Sequence, residues 1–174
     1  MELKIYDKTD NLRLTASPNS SSSVTEEKGG ECSVSASFTH TEYVPLDVDD
    51  YIEVEGVRYR LKSRYRPKQK NTQTYEYSAK FYAPIHDAED TLMLFQEGGT
   101  TSEFSYDGGP REHLQLWIDN MNRRAGGNLW SNGTVITAEN MEIDNRNVKC
   151  WDAAIGSNGI ADTFGTVMWA GGYV

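Results

Sequence analysis

The sequence predicts a β-rich α+β protein: an antiparallel sheet or barrel-like first domain over residues 1–97, then a smaller helix-containing region over 98–174 that starts a second α+β domain. Three observations predict it. Apolar and polar residues alternate at period two in several short runs before residue 82, the repeat of a half-buried strand. After residue 110 one stripe follows the i, i+3, i+4, i+7 pattern of an amphipathic helix. Ten Tyr, four Trp and five Phe against a hydrophobic content of 37% suit strands better than a helical bundle. At 174 residues the chain is long enough to bury a core without disulfides or metals.

Leu3 and Ile5, then Leu12 and Leu14 around DKTDN, read as an opening hairpin. Residues 17–30, SPNSSSSVTEEKGG, are small, polar and without a period, which predicts a mobile surface loop. In ECSVSASF, Cys32, Val34, Ala36 and Phe38 alternate with Ser33, Ser35 and Ser37, a strand. In DYIEVEGVRYRLK a two-residue turn at Glu55 and Gly56 pairs Val54 with Val57, Glu53 with Arg58, Tyr51 with Arg60 and Asp49 with Lys62. TYEYSAKFY returns as a strand with Tyr75, Tyr77, Ala79 and Phe81 on one face, and brings Arg64 opposite Glu76.

Within this region VRYRLKSRYRPKQK places Arg58, Arg60, Lys62, Arg64, Arg66, Lys68 and Lys70 at every second position, in a chain of net charge −9. As one extended strand the run points all seven cations to one face. Such a face serves as a stripe for nucleic acid, as a site for a partner's acidic surface, or as the wet side of a sheet neutralised by its neighbours. A pI near 4.8 weighs against nucleic acid, since the molecule repels phosphate backbones. Local pairing covers much of the run and leaves Arg66, Lys68 and Lys70 as the candidate assembly face.

Beyond residue 97, DGGPREHLQLWIDNMNRRAGG brackets a helix with Pro110 in its first turn and Gly126 past its end, carrying the stripe Leu114, Trp117, Ile118 and Met121. LWSNGTVIT is strand-like on either side of Asn132 and Gly133. NVKCWDAAIGSNGIADTFG is helical in tone but broken or short, because Gly156 and Gly159 each cost about 1 kcal/mol relative to Ala inside a helix. VMWAGGYV reads as a hairpin whose second strand is cut off.

Candidate chemistry is sparse. Cys32 and Cys150 lack metal-ligand spacing, and His40, His86 and His113 are scattered and read as isolated surface residues. LDVDD at 46–50 lacks the spacing and terminal Glu of a calcium loop and reads as the cap of a strand or turn. The Gly pairs match no phosphate-binding pattern. The sequons at Asn19 and Asn132 imply no glycosylation in a chain that opens without a signal peptide. Trp117 belongs to the core, whereas Trp130, Trp151 and Trp169 form a candidate sugar-stacking set. No catalytic residue, metal site or cofactor is expected, and neither is membrane insertion.

The opening hairpin, LDVDDYIEVEGVRYRL, TYEYSAKF, a helix after a Gly-Pro turn, LWSNGTV and the ending CWDA…IADTFGTVMWAGGY together resemble, over most of the chain, the N-terminal hub region of prophage tail-tip proteins. These are the tail-associated or tail-endopeptidase family, related to baseplate hubs. The resemblance lies in the order of segments. It implies a structural virion component, made in the bacterial cytoplasm and placed in the tail, that forms a trimer and binds other tail proteins. Relatives continue the last hairpin into further domains, so this chain resembles a shortened form, and any peptidase or lysin activity belongs to C-terminal parts absent here. The Gly156, Ser157, Asn158, Gly159 interruption departs from the family's continuous helix. The alternative function is a carbohydrate-binding adhesin module of a bacterial or phage surface structure.

Overall fold

The computed structural model describes residues 2–27, 30–96, 100–133 and 139–164. The chain divides into two compact units, Met1–Ile85 and His86–Val174, a division twelve residues ahead of the expected boundary at 97.

The first unit is one antiparallel sheet of eight strands. They are β1 (Leu3–Tyr6), β2 (Leu12–Ala16), β3 (Ser23–Glu26), β4 (Cys32–His40), β5 (Tyr51–Val54), β6 (Val57–Arg60), β7 (Lys68–Asn71) and β8 (Thr74–Tyr82). Their order is β2-β1-β5-β6-β8-β4-β3, with β7 pairing β8 off this path. The fold class is therefore the predicted one, but the sheet is not a closed barrel. β3 covers the outer edge of β4 from Cys32 to Ser35, and at Ser37 the Asn19 N–H and the Ser22 hydroxyl donate to its carbonyl while its N–H donates to the Ser22 hydroxyl. That strand also corrects the reading of 17–30 as a loop without structure: Val24 and Thr25 lie opposite Val34 and Ser33.

The Glu55–Gly56 turn forms as expected, with both residues at positive φ (52° and 81°), as this hairpin turn requires. Its ladder ends earlier than the alternation suggests. Asp49, also at positive φ, donates its N–H to Leu61 C=O while Leu61 N–H donates to Asp50, so two residues oppose one and Asp49 does not face Lys62.

The core gathers Ile5, Leu14, Phe38, Leu46, Ile52, Tyr59, Tyr77 and Phe81, all nearly inaccessible. Burying each of these large side chains stabilises the fold by roughly 1.5–3 kcal/mol. Tyr77 stacks on Phe38 at 4.5 Å. Its hydroxyl accepts from Val44 N–H at 2.9 Å and lies 3.2 and 3.1 Å from the Glu42 and Val44 carbonyls, which pins 42–44 over the sheet.

β6 meets β8 only at Arg60 and Tyr82, whereas β7 takes β8 from Thr74 to Glu76. The Ser78 N–H falls between these two partners and donates instead to the Tyr65 hydroxyl at 2.6 Å. Tyr65 is itself held by paired backbone bonds to Leu46.

In the second unit β9 (Glu103–Gly108) and β10 (Met141–Arg146) form a two-stranded sheet beside three helices, α1 (Pro110–Ala125), α2 (Cys150–Ile155) and α3 (Ile160–Phe164). α1 begins and ends as the sequence predicts, with Pro110 in its first turn and Gly126 at φ 73° capping the Asn122 and Arg123 carbonyls. Its buried face includes Trp117, Ile118 and Met121 but also His113 and Asn120. The Asn120 amide binds both backbone groups of Leu94, and Trp117 donates to the Cys150 carbonyl at 2.8 Å. The break between α2 and α3 falls at Gly156–Gly159, as expected. The cut-off hairpin read in VMWAGGYV lies outside the described residues, as does the second half of LWSNGTVIT.

Tyr65→Phe is expected to leave the Ser78 N–H without a partner and to cost about 1 kcal/mol. Urea unfolding should show the loss, and amide exchange at Ser78 should accelerate. Unchanged stability and unchanged Ser78 protection would contradict the role given to the hydroxyl.

Candidate functional site

The cationic run does not form one strand face. β6 holds Arg58 and Arg60, the chain leaves β8 over 61–67, and β7 begins at Lys68. Pro67, buried and without an N–H, precedes β7. In β7 every residue is exposed, and among the described residues it pairs with β8 alone, leaving its other edge open. Asn71 closes the hairpin, its side chain accepting from Gln73 N–H at 2.9 Å. Lys68 is the residue opposite Glu76, in place of Arg64.

The two ends of the run differ in their electrostatics. Arg58 pairs with Asp10 at 3.0 Å and lies over the Tyr51 ring, and Arg64 pairs with Asp47 at 3.2 Å. Arg13 joins this acidic corner, 3.1 Å from the buried Asp50 and 3.2 Å from Asp47. Burial raises the Asp50 carboxyl above its ordinary value against the Asp47 N–H bond and the Arg13 charge, which lower it. Further along, Arg66, Lys68 and Lys70 are exposed, and among the described residues no ion pair reaches them. The structure thus brings two of the three candidate assembly residues, Lys68 and Lys70, onto one open strand edge, with Arg66 immediately before it.

The tryptophans are not brought together. Trp130 is half-buried edge-on against Trp117 at 5.4 Å, with its backbone held by the Asn122 amide. Trp151 stacks on His86 at 5.7 Å, and no ring contact among the described residues joins it to Trp130. Trp169 lies outside the described residues.

His86 and His113 are buried, which corrects their reading as surface histidines. His86 Nδ1 lies 2.7 Å from a Glu89 carboxylate oxygen, and His113 Nε2 lies 3.0 Å from the Met141 carbonyl with its ring against Tyr106. Among the described residues no group of three or more His, Cys, Asp or Glu is placed to hold a metal ion. No described helix is long and apolar enough to cross a membrane.

The sequence reading missed the β9–β10 ribbon. Its signal was the alternation of Phe104 and Tyr106 with Glu103, Ser105 and Asp107, answered by Ile143 between Glu142 and Asp144. The register sets Asp107 opposite Glu142, Ser105 opposite Asp144 and Glu103 opposite Arg146. Comparison of the chain with family models, with characterised proteins and with solved structures finds no match.

Burial pushes the Cys150 thiol up to about 12, and its sulfur lies 3.5 Å from that of Met93. Iodoacetamide at pH 8 should therefore modify half-buried Cys32 first and reach Cys150 only when urea unfolds the chain. Mass spectrometry showing equal labelling of both in the folded protein would contradict this packing.

Proposed function

We propose that the chain is a structural subunit of a phage or prophage tail tip, a baseplate-hub component that assembles with copies of itself and with neighbouring tail proteins. The assembly part of this reading is carried by one observation: the open edge of β7, with Arg66, Lys68 and Lys70 unpaired among the described residues of an acidic chain. The tail-tip part rests on the order of segments set out above.

Physically, such an edge acts in two ways. Lysines on an exposed strand repel a second cationic edge and so guard the free subunit against indiscriminate sheet extension. An incoming acidic strand removes that repulsion and gains main-chain hydrogen bonds, with charge setting partner and orientation more than affinity. Nucleic acid is not the expected ligand, because the front of the run already has carboxylate partners and the chain as a whole repels phosphate.

Co-expression with the products of the genes flanking its own tests this reading. The chain is expected to co-purify with tail-tube or tail-tip subunits and to be present in purified tails. A chain that elutes alone and is absent from particles would overturn it, and glycan-array binding lost in a Trp151→Ala variant would turn the reading to an adhesin. In the same samples, salt-sensitive micromolar DNA binding abolished by Lys68→Glu and Lys70→Glu would show that the edge reads phosphate.

A further inference from the structure

The two compact units differ in charge. Residues 1–85 carry 12 Lys and Arg against 13 Asp and Glu, a net −1, whereas residues 86–174 carry 5 against 13, a net −8. Nearly all of the chain's excess negative charge thus lies in the unit that lacks the cationic edge.

Within the acidic unit one place is short of counter-charge. Asp107 and Glu142 are direct cross-strand neighbours, both exposed, and like charges so placed destabilise a ribbon. Glu112 of α1 lies beside Gly108 at the same end. By contrast Asp144 has Arg146 at 2.9 Å and the Ser105 hydroxyl at 3.2 Å, and Glu103 accepts from Asn147 at 2.6 Å. Among the described residues no ion pair reaches Asp107 or Glu142. Among the described residues β10 pairs with β9 alone, which leaves its second edge open, and two strands alone make a marginal sheet.

We propose that β7 of one copy adds to the open edge of β10 of a second copy, setting its lysines, Lys68 and Lys70, beside Glu142, with Asp107 on the next strand in the same acidic patch. Each side of this contact supplies what the other lacks: an unpaired strand edge, and charge of the opposite sign. The occupant is a second copy because both surfaces belong to the same chain. The two surfaces differ, so the contact is head-to-tail, and repetition closes into a ring when the rotation between copies allows. The inference rests on the proposal that this chain assembles with itself, and it names the surfaces that do so.

The test uses the full chain and three variants: Lys68→Glu with Lys70→Glu, Asp107→Lys with Glu142→Lys, and all four substitutions together. Sedimentation velocity at low and high salt reads association, and circular dichroism verifies folding. The wild type should self-associate at low salt and dissociate as salt rises. Each double variant should associate at least about tenfold more weakly, since the contact then opposes like charges. A 1:1 mixture of the two double variants should recover association, as should the fourfold variant by itself, because opposite charges again meet. Recovery excludes simple misfolding as the cause of the loss. Wild-type association indifferent to both reversals would overturn these surfaces while leaving the assembly reading in place. So would a strictly monomeric wild type that still enters tail complexes. Absence from tails as well removes the reading beneath the inference. Reversals that lower the melting temperature without changing association would overturn a contact between copies.

Discussion

Buried backbone groups have to find hydrogen-bond partners within the protein, and β8, in the middle of the sheet, meets that requirement in an uneven way that governs the rest of the first unit. One edge is taken by β4 over eight consecutive pairs, from Tyr75–His40 to Tyr82–Ser33. The other is divided: β6 touches it at Tyr82, β7 covers Thr74 to Glu76, and the Tyr65 hydroxyl supplies the Ser78 N–H in the gap. A continuous ladder from Arg60–Tyr82 would put Arg66 opposite Glu76. Lys68 stands there instead, so two residues have been drawn out of the ladder. They are used where the chain turns towards 46–50, with Leu61 bonded to Asp49 and Asp50 and Tyr65 to Leu46. The excursion closes the core around Leu46, Leu61 and Tyr77. It also separates the front of the cationic run, which meets Asp10 and Asp47, from the back, which lies on an open edge.

Much of the sheet was legible because turn chemistry and period two agree. The Glu55–Gly56 hairpin, the Val34, Ala36, Phe38 face and the Tyr77, Ala79, Phe81 face all follow from alternation. The helix at 110–125 was legible from Pro110, Gly126 and its stripe. What alternation could not reveal was where a strand stops. Residues 57–70 keep period two throughout, but the pattern holds through a crossing between partners as well as along one strand, and Pro67 was the only local mark of the break. β3 escaped notice because Val24 is its one apolar residue, on an outermost strand. The ribbon escaped because its exposed face is acidic and its two strands are separated in sequence by a whole helix, α1. Buried His86 and His113 were misjudged because a histidine's burial depends on tertiary partners, Glu89 and Trp151 for one and Tyr106 and the Met141 carbonyl for the other.

The candidate surface illustrates how little net charge says about where a protein makes contact. A net −9 hides an almost neutral first unit and a strongly acidic second one. Exposed pairs such as Arg58–Asp10 contribute only about 0–1 kcal/mol each, so their effect on stability is small. Their effect on recognition is larger, because by occupying the front cations they leave the β7 edge as a cationic surface without an ion-pair partner among the described residues. The side chains that guard that edge in the free subunit are the ones suited to an acidic strand.

The division of β8's second edge is the central claim, and cross-strand nuclear Overhauser effects test it most directly. The account predicts contacts between the α-protons or amides of Lys68 and Glu76 and of Arg60 and Tyr82, together with a Tyr65 contact to Leu46. A ladder that runs unbroken from Arg60 and sets Arg66 or Arg64 opposite Glu76 would contradict it, since the cations would then share one strand face and β7 would have no separate edge.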